Sequence, residues 1–371
     1  MQWISAEDDS GIGGSLRDSL GRKGNMAERR DRLGQDLTYM WRSKLYCAVR
    51  IHLAPQATPD STSDRSDFST DSLSSTAIFP SHRFILVSRS PYFASVLLNP
   101  SSFRPASTAD IHLATPPFTP AALHFCLGYM YAGHLDFSNR TFDLLTAFQI
   151  HRAAAYLQLE TLIQEVEARI VHDFCHGLDF NKCHCRRCPA RAARVWRFAS
   201  SSDVGAVVLG QRARSYLVKG WGESWGREVG SAEAENRDTL VKDVTSTITA
   251  KTVVSAFPSI DMIRTRIEAG LRARGRDAAV WTDGLEEMVE ELEMHTRHVL
   301  IFSFAEVAES SELWDVVSGK GFAGDVLDSL VKEVIDGVGS AQGCVEGPRI
   351  YQVSCTLVSK LTPGSRLCHP A

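Results

Sequence analysis

From about Met26 the apolar positions fall into a helical period. Leu33, Leu37, Met40, Trp41 and Leu45 recur at three- and four-residue spacing, and Arg29, Arg30, Arg32 and Arg42 lie mostly off that stripe. Tyr46, Val49, Ile51 and Leu53 then bring β-formers together and predict a strand over Leu45–Leu53. Residues 54–77 are rich in Pro, Ser, Thr and Asp, with almost no apolar anchor, and are expected to be a disordered insertion. A short strand at Ala77–Phe79 leads into a helix from His82. Ser90 followed by Pro91 caps and starts a second helix, which ends at Val96–Leu98. A Pro/Ser loop at 99–109 precedes a strand at Asp110–Ala114. Thr119 with Pro120 starts a helix over Ala121–Tyr131, and Gly133 stops it. Helices are predicted at 140–150 and 152–173, the second with a stripe of Leu157, Leu159, Leu162, Ile163, Val166 and Ile170.

Beyond residue 203 the period is helical throughout. Val207, Val208, Leu209, Ala213, Tyr216 and Leu217 form one amphipathic segment, followed by segments at Leu240–Ile248, Thr252–Phe257 and Ile260–Leu271. Trp281–Phe304 is the longest, with Leu285, Met288, Val289, Leu292, Thr296, Val299 and Leu300 on its buried side. Glu286, Glu287, Glu290, Glu291 and Glu293 read as its solvated face rather than as paired acid/base carboxylates. Trp221 and Trp225, four residues apart, read as core. A last helix is expected at Phe322–Val338, and periodicity is lost over 341–371.

At 371 residues the chain is long enough for two or three domains. Hydrophobic content of 44% and charged content of 23% exclude a wholly disordered chain. A net charge of −4 leaves no global basic field to draw in nucleic acid or an anionic membrane. No run of about 18 apolar residues occurs, so no transmembrane helix is expected. Residues 1–25 are Gly-, Ser- and Asp-rich and are expected to form a disordered tail. GIGGSL at 11–16 follows no strand and has the wrong spacing for a phosphate loop. Glu7, Asp8 and Asp9 stand where a secretory leader would need a charged-then-apolar pattern. The nine cysteines, an odd number over a long chain, fit reduced thiols in a cytoplasmic or nuclear protein.

The segment FPSHRFILVSRSPYF carries a pattern of its own: Phe79, His82, Arg83, Leu86, Ser90, Tyr92 and Phe93. It resembles the signature of BTB/POZ domains. IHL at 111–113 resembles the strand that follows it in that family. ALHFCLGYMYAGHLDF at 122–137, with Tyr129, Tyr131 and Gly133, resembles the next helix and its turn. AAAYLQLETL at 153–162 resembles the closing helix. The resemblance is closest to fungal members with a Ser/Thr-rich insertion. It implies an α+β fold, with a small sheet flanked by helices over 26–172, followed by a helical, BACK-like region over 203–340. It also implies a protein-interaction module that is not an enzyme, with protein partners. The stripe of Leu33, Leu37, Trp41 and Leu45 resembles the swapped first helix of dimeric members and implies a homodimer. Two positions depart from the family pattern. Cys47-Ala48-Val49 stands where many members carry an aspartate, so Arg83 must find another acceptor or face solvent. Phe103-Arg104-Pro105 keeps the hydrophobic residue of the cullin-binding motif and replaces its glutamate by proline. An adaptor for a cullin-type ubiquitin ligase would bind through Phe103 and the surfaces of the 82–98 and 120–131 helices.

Residues 173–202 read as a Cys/Arg-rich linker. Cys175, Cys183, Cys185 and Cys188 fall within fourteen residues, with His172, His176 and His184 nearby. Thiolates and imidazoles at short spacing are what a tetrahedral zinc site requires, with Cys175 or a histidine as fourth ligand beside the other three cysteines. Ordinary reduced cysteines in a linker, with no cofactor, are the reading that the non-standard spacing favours, with a structural zinc as the alternative. Lys182, Arg186, Arg187, Arg191, Arg194 and Arg197, with Trp196 and Phe198, set a nuclear nucleic-acid-binding regulator against a solvated basic helix face. The net charge favours the second. No H-E-x-x-H or Walker loop occurs.

Overall fold

Val49, Ile51 and Leu53 alternate with Arg50 and His52, so every second side chain of this segment points to one face. The computed structural model describes residues 32–53, 77–98, 109–272 and 276–317. In it the segment is the central strand β1 (Val49–Leu53). β1 pairs antiparallel with β2 (Ala77–Ser81) and parallel with β3 (Ala109–Leu113), giving the order β2-β1-β3 with Ile51 opposite Phe79 and Ile111. Val49, Ile51, Leu53, Ile111 and Leu113 are buried. Of the alternating polar residues, Arg50 and His52 donate to the Asp110 carboxylate at 3.1 and 3.0 Å, and His52 stacks on His112. The strand expected from Leu45 starts only at Val49. Lys44 (φ 53°) and Tyr46 (φ 59°) adopt left-handed backbone, which an extended strand cannot contain.

The chain divides into two units, Met1–Arg169 and Ile170–Ala371. In the first, the helices are α1 (32–43), α2 (Arg83–Arg89), α3 (Pro91–Leu98), α4 (Pro120–Ala132), α5 (Leu144–Tyr156) and α6 (Glu160–Arg169). α4 is the core helix, with Leu123, Phe125, Leu127, Met130 and Tyr131 all buried. Its ends follow the expected signals. Thr119 Oγ1 accepts from the Ala122 N–H at 3.2 Å, and Gly133, at φ 76°, donates its N–H to the Tyr129 carbonyl. The two helices predicted over 140–173 are shifted. Asp143 caps α5 by accepting from the Thr146 N–H at 2.8 Å, and Gln158, at φ 57°, separates α5 from α6.

The second unit is helical. A π-helical turn at Ile170–Phe174 precedes α7 (Cys188–Ala199), α8 (Val207–Lys219), α9 (Trp221–Ser224), α10 (Arg227–Gly230) and α11 (Ala234–Thr247). α12 (Val253–Arg272), α13 (Arg276–Phe302), α14 (Phe304–Glu309) and α15 (Ser311–Val317) follow. The stretch 173–202 is therefore not a linker. Ala192, Val195 and Trp196 bury one face of α7, which packs on α8, and the cations between them had masked that stripe in the sequence. The helices expected separately at 252–257 and 260–271 are one. The buried side of Val253, Ala256, Ile260, Ile263 and Ile267 stays in phase across Pro258, so packing against α13 outweighs the one hydrogen bond that proline deletes. α13 buries Leu285, Met288, Val289, Leu292, Thr296 and Leu300, as expected. Gly230 and Gly284 let α10 and α13 touch backbone to backbone: a Cβ on Gly284 would strike the Gly230 carbonyl. Trp221 and Trp225 are both buried, with ring centroids 6.0 Å apart.

Among the described residues no helix is long and apolar enough to cross a membrane. Phe103, the 1–25 tail, the insertion except Ala77, the Phe322–Val338 helix and the 341–371 tail lie outside the described residues.

Candidate interaction surface and cysteine cluster

The signature residues meet around His82. Its Nε2 lies 2.7 Å from the Leu45 carbonyl, which can only accept, so Nε2 carries the proton. Nδ1, 2.9 Å from the Tyr131 hydroxyl, is then the acceptor. The same hydroxyl accepts from the His82 backbone N–H at 2.9 Å. One phenol thus ties the end of α4 to the start of α2, and the imidazole ties both to the turn before β1. Burial is the main reason that the Tyr131 hydroxyl has its pKa pushed up to about 12, which keeps it protonated and able to donate. Ser90 makes a second tie: its hydroxyl donates to the Leu157 carbonyl at 2.7 Å and accepts from the Phe93 N–H at 3.3 Å, capping α3 as predicted. Phe93 is fully buried, and Phe79, Tyr92 and Tyr129 are half-buried. Arg83 is exposed and donates to the Leu97 carbonyl at 2.5 Å, so the end of α3 takes the place of the missing aspartate.

α1 rests on this frame by one side. Trp41 packs edge-on against Phe137 (5.2 Å) and His124 (4.8 Å), and Arg42 donates to the Phe137 carbonyl at 2.8 Å. Burial first, then the cations Arg140 and Lys44, lower the His124 pKa to about 4, so the ring under Trp41 is neutral at physiological pH. Phe137 in turn sits against Gly128 of α4, where any Cβ would collide with its ring. Neither Gly128 nor Phe137 stood out in the sequence. A glycine in mid-helix was the signal that marked the close approach. The rest of the expected dimer stripe faces outward: Leu37 is half-buried, and Leu33, Met40 and Leu45 are exposed, with Tyr46 beside them. Of the two helical surfaces expected to meet a partner, α2 and α3 expose Phe84, Val96 and Leu98. α4 is buried almost throughout and exposes only Pro120 fully.

In the second unit the cysteines separate. Cys183, Cys185 and Cys188 gather with His176, their ligand atoms all within 4.8 Å of one another. Cys175 is not among them. It is buried, its N–H bonds to the Ile170 carbonyl, and burial pushes its thiol up to about 12. His176, at φ 48°, turns its ring toward the thiols instead. Cys185 is held down at about 6, first by the hydrogen bond from the Cys188 thiol and then by the Arg187 and Cys188 N–H groups. Burial pushes Cys188 up. These four residues can hold a metal ion. The basic side chains around them are largely engaged. Lys182 pairs with Asp179, Arg191 donates to the Phe174 carbonyl, and Arg194 and Arg197 pair with Glu228.

The first unit is a small three-stranded sheet under helices, knit by a histidine–tyrosine tie and carrying an apolar helix on its surface. Residues 61–173 match the family model of the BTB/POZ domain, and the chain contains a BTB/POZ domain, a protein–protein interaction module. No curated protein matches the chain.

Proposed function

We propose that this chain is a self-associating BTB adaptor, in which α1 and the turn after it bind a second copy. One observation carries the reading. α1 is fixed by Trp41 and Arg42, yet Leu33 is 59% exposed, Met40 38% and Leu45 55%. Burying side chains of this kind is worth about 1.5–3 kcal/mol each, and an isolated helix of this length is marginal in water, so a cover for the row is strongly favoured. With two differently tagged copies in one cell, one copy captures the other. Leu33→Asp with Met40→Asp cuts that capture by about tenfold or more; capture unaffected by the pair of substitutions would remove the dimer reading.

The finer role that the surface favours is a substrate adaptor for a cullin-type ubiquitin ligase. Phe84 on α2 is 76% exposed and Leu98, at the end of α3, is 60% exposed, next in sequence to the segment that holds Phe103. A purified cullin N-terminal region is expected to bind the chain and to lose it on Phe103→Ala or Phe84→Asp. No binding to the unmodified chain would remove the cullin reading and leave a self-associating scaffold. A nuclear nucleic-acid regulator has less support, because Arg191, Arg194 and Arg197 already serve the protein's own groups.

A further inference from the structure

We propose that His176, Cys183, Cys185 and Cys188 form a closed, four-ligand structural zinc site that pins the turn after Phe174 to the first residue of α7.

The spacing of the donor atoms is the first support. A tetrahedron with Zn–S of about 2.3 Å and Zn–N of about 2.0 Å has S···S edges of about 3.8 Å and S···N edges of about 3.5 Å. The Cys183–Cys188 sulfurs are 3.6 Å apart, and His176 Nδ1 lies 3.3 Å from the Cys183 sulfur and 3.5 Å from the Cys188 sulfur. Three edges of the figure are therefore at metal-site length in the polypeptide alone. Cys185 completes the group within the 4.8 Å envelope.

The donor chemistry selects the metal. Three sulfurs and one imidazole nitrogen exclude magnesium and calcium, which take oxygen, and suit zinc in a tetrahedral shell. Four protein ligands fill that shell, leaving no position for a reactive water, so the site supports the fold and performs no hydrolysis. A disulfide accounts for less. At 3.6 Å the Cys183 and Cys188 sulfurs are well short of a bond of about 2.05 Å, and a disulfide would leave the third thiol and the imidazole unexplained.

The surroundings fit a bound metal. His176 and Leu178 both adopt left-handed backbone, at φ 48° and 50°, on either side of Gly177 at φ 96°. Non-glycine residues carry a cost there, and it falls on the residue whose ring must reach the sulfurs. α7 starts without a side-chain cap at Arg187, and the Cys188 N–H points at the Cys185 sulfur at 3.3 Å. An amide donor to a ligating sulfur is the outer support that such sites use. Zinc(II) with three thiolates and a neutral histidine carries one net negative charge. Lys182, Arg186, Arg187 and Arg191 flank it in the sequence. Protons compete with zinc for the sulfurs, so occupancy falls with acid.

The test uses the tag-free full-length chain, produced with zinc and purified under reducing conditions, with metal content read by elemental analysis. About one zinc per chain is expected for the unmodified protein and for Cys175→Ser, and less than about a fifth of that for Cys185→Ser and His176→Ala. Because a ligand variant can misfold, cobalt(II) exchange on the unmodified chain is read alongside. Intense visible bands of tetrahedral thiolate coordination support the site. A folded chain that carries no zinc and gives only the pale spectrum of octahedral cobalt overturns it. Loss of zinc in Cys175→Ser with retention in His176→Ala would overturn the ligand set.

Discussion

Gly128→Val is expected to lower the unfolding midpoint of the BTB unit by roughly 10 °C, corresponding to about 3 kcal/mol of overpacking. The position has no space for a side chain: even a single Cβ meets the Phe137 ring, which is itself buried. Phe137 cannot simply move away, because its ring carries Trp41 and its carbonyl accepts from Arg42. The damage should therefore pass to α1, which loses both anchors when Phe137 shifts. Calorimetry of the full chain, with its melting transitions assigned by comparison with Tyr131→Phe, reads the first effect. A loss of self-association at temperatures where the variant remains folded reads the second. A variant that melts with the unmodified chain would mean that Phe137 is not held as described.

Tyr131→Phe is expected to cost about 2–3 kcal/mol, an effect large for the removal of one oxygen. The hydroxyl is the partner of two buried groups, the His82 N–H and the His82 Nδ1; phenylalanine leaves the N–H unsatisfied and leaves Nδ1 only the Cys47 thiol, a weak donor 3.9 Å away. Tyr129→Phe is the control: its side chain is half-buried, and a change within about 0.5 kcal/mol is expected. Urea unfolding of the two variants separates the network from a general preference for tyrosine. Equal losses in both would contradict the hydrogen-bond assignment.

The order of elements in the first unit was legible because each carries a local signal: alternation at 49–53, Ser90-Pro91, Thr119-Pro120, and Gly133 after Tyr131. What those signals could not reveal is how His82 closes on Leu45. That contact depends on the left-handed Lys44 and Tyr46, and neither residue type announces such a backbone. A basic helix face was legible at α7, but its buried side was not, for a different reason. Its apolar stripe is interleaved with arginines, whose ion pairs with Glu228 appear only when the chain is folded. The cluster that could hold a metal differs by one position from the four cysteines read from the sequence, for a similar reason. Cys175 and His176 are neighbours in sequence, and the backbone at φ 48° decides which of them faces the thiols. The arginine after His82 was legible as a departure from the family, but its acceptor, the Leu97 carbonyl, was not, since a backbone group leaves no mark in a sequence.

The central claim is that the apolar row on α1 is covered by a second copy of the chain. The direct measurement is the solution mass of the full-length protein by light scattering at micromolar concentration, beside Leu33→Asp with Met40→Asp. The account predicts twice the chain mass for the unmodified protein and the single-chain mass for the variant. A monomer in both, with each folded by circular dichroism, would contradict it.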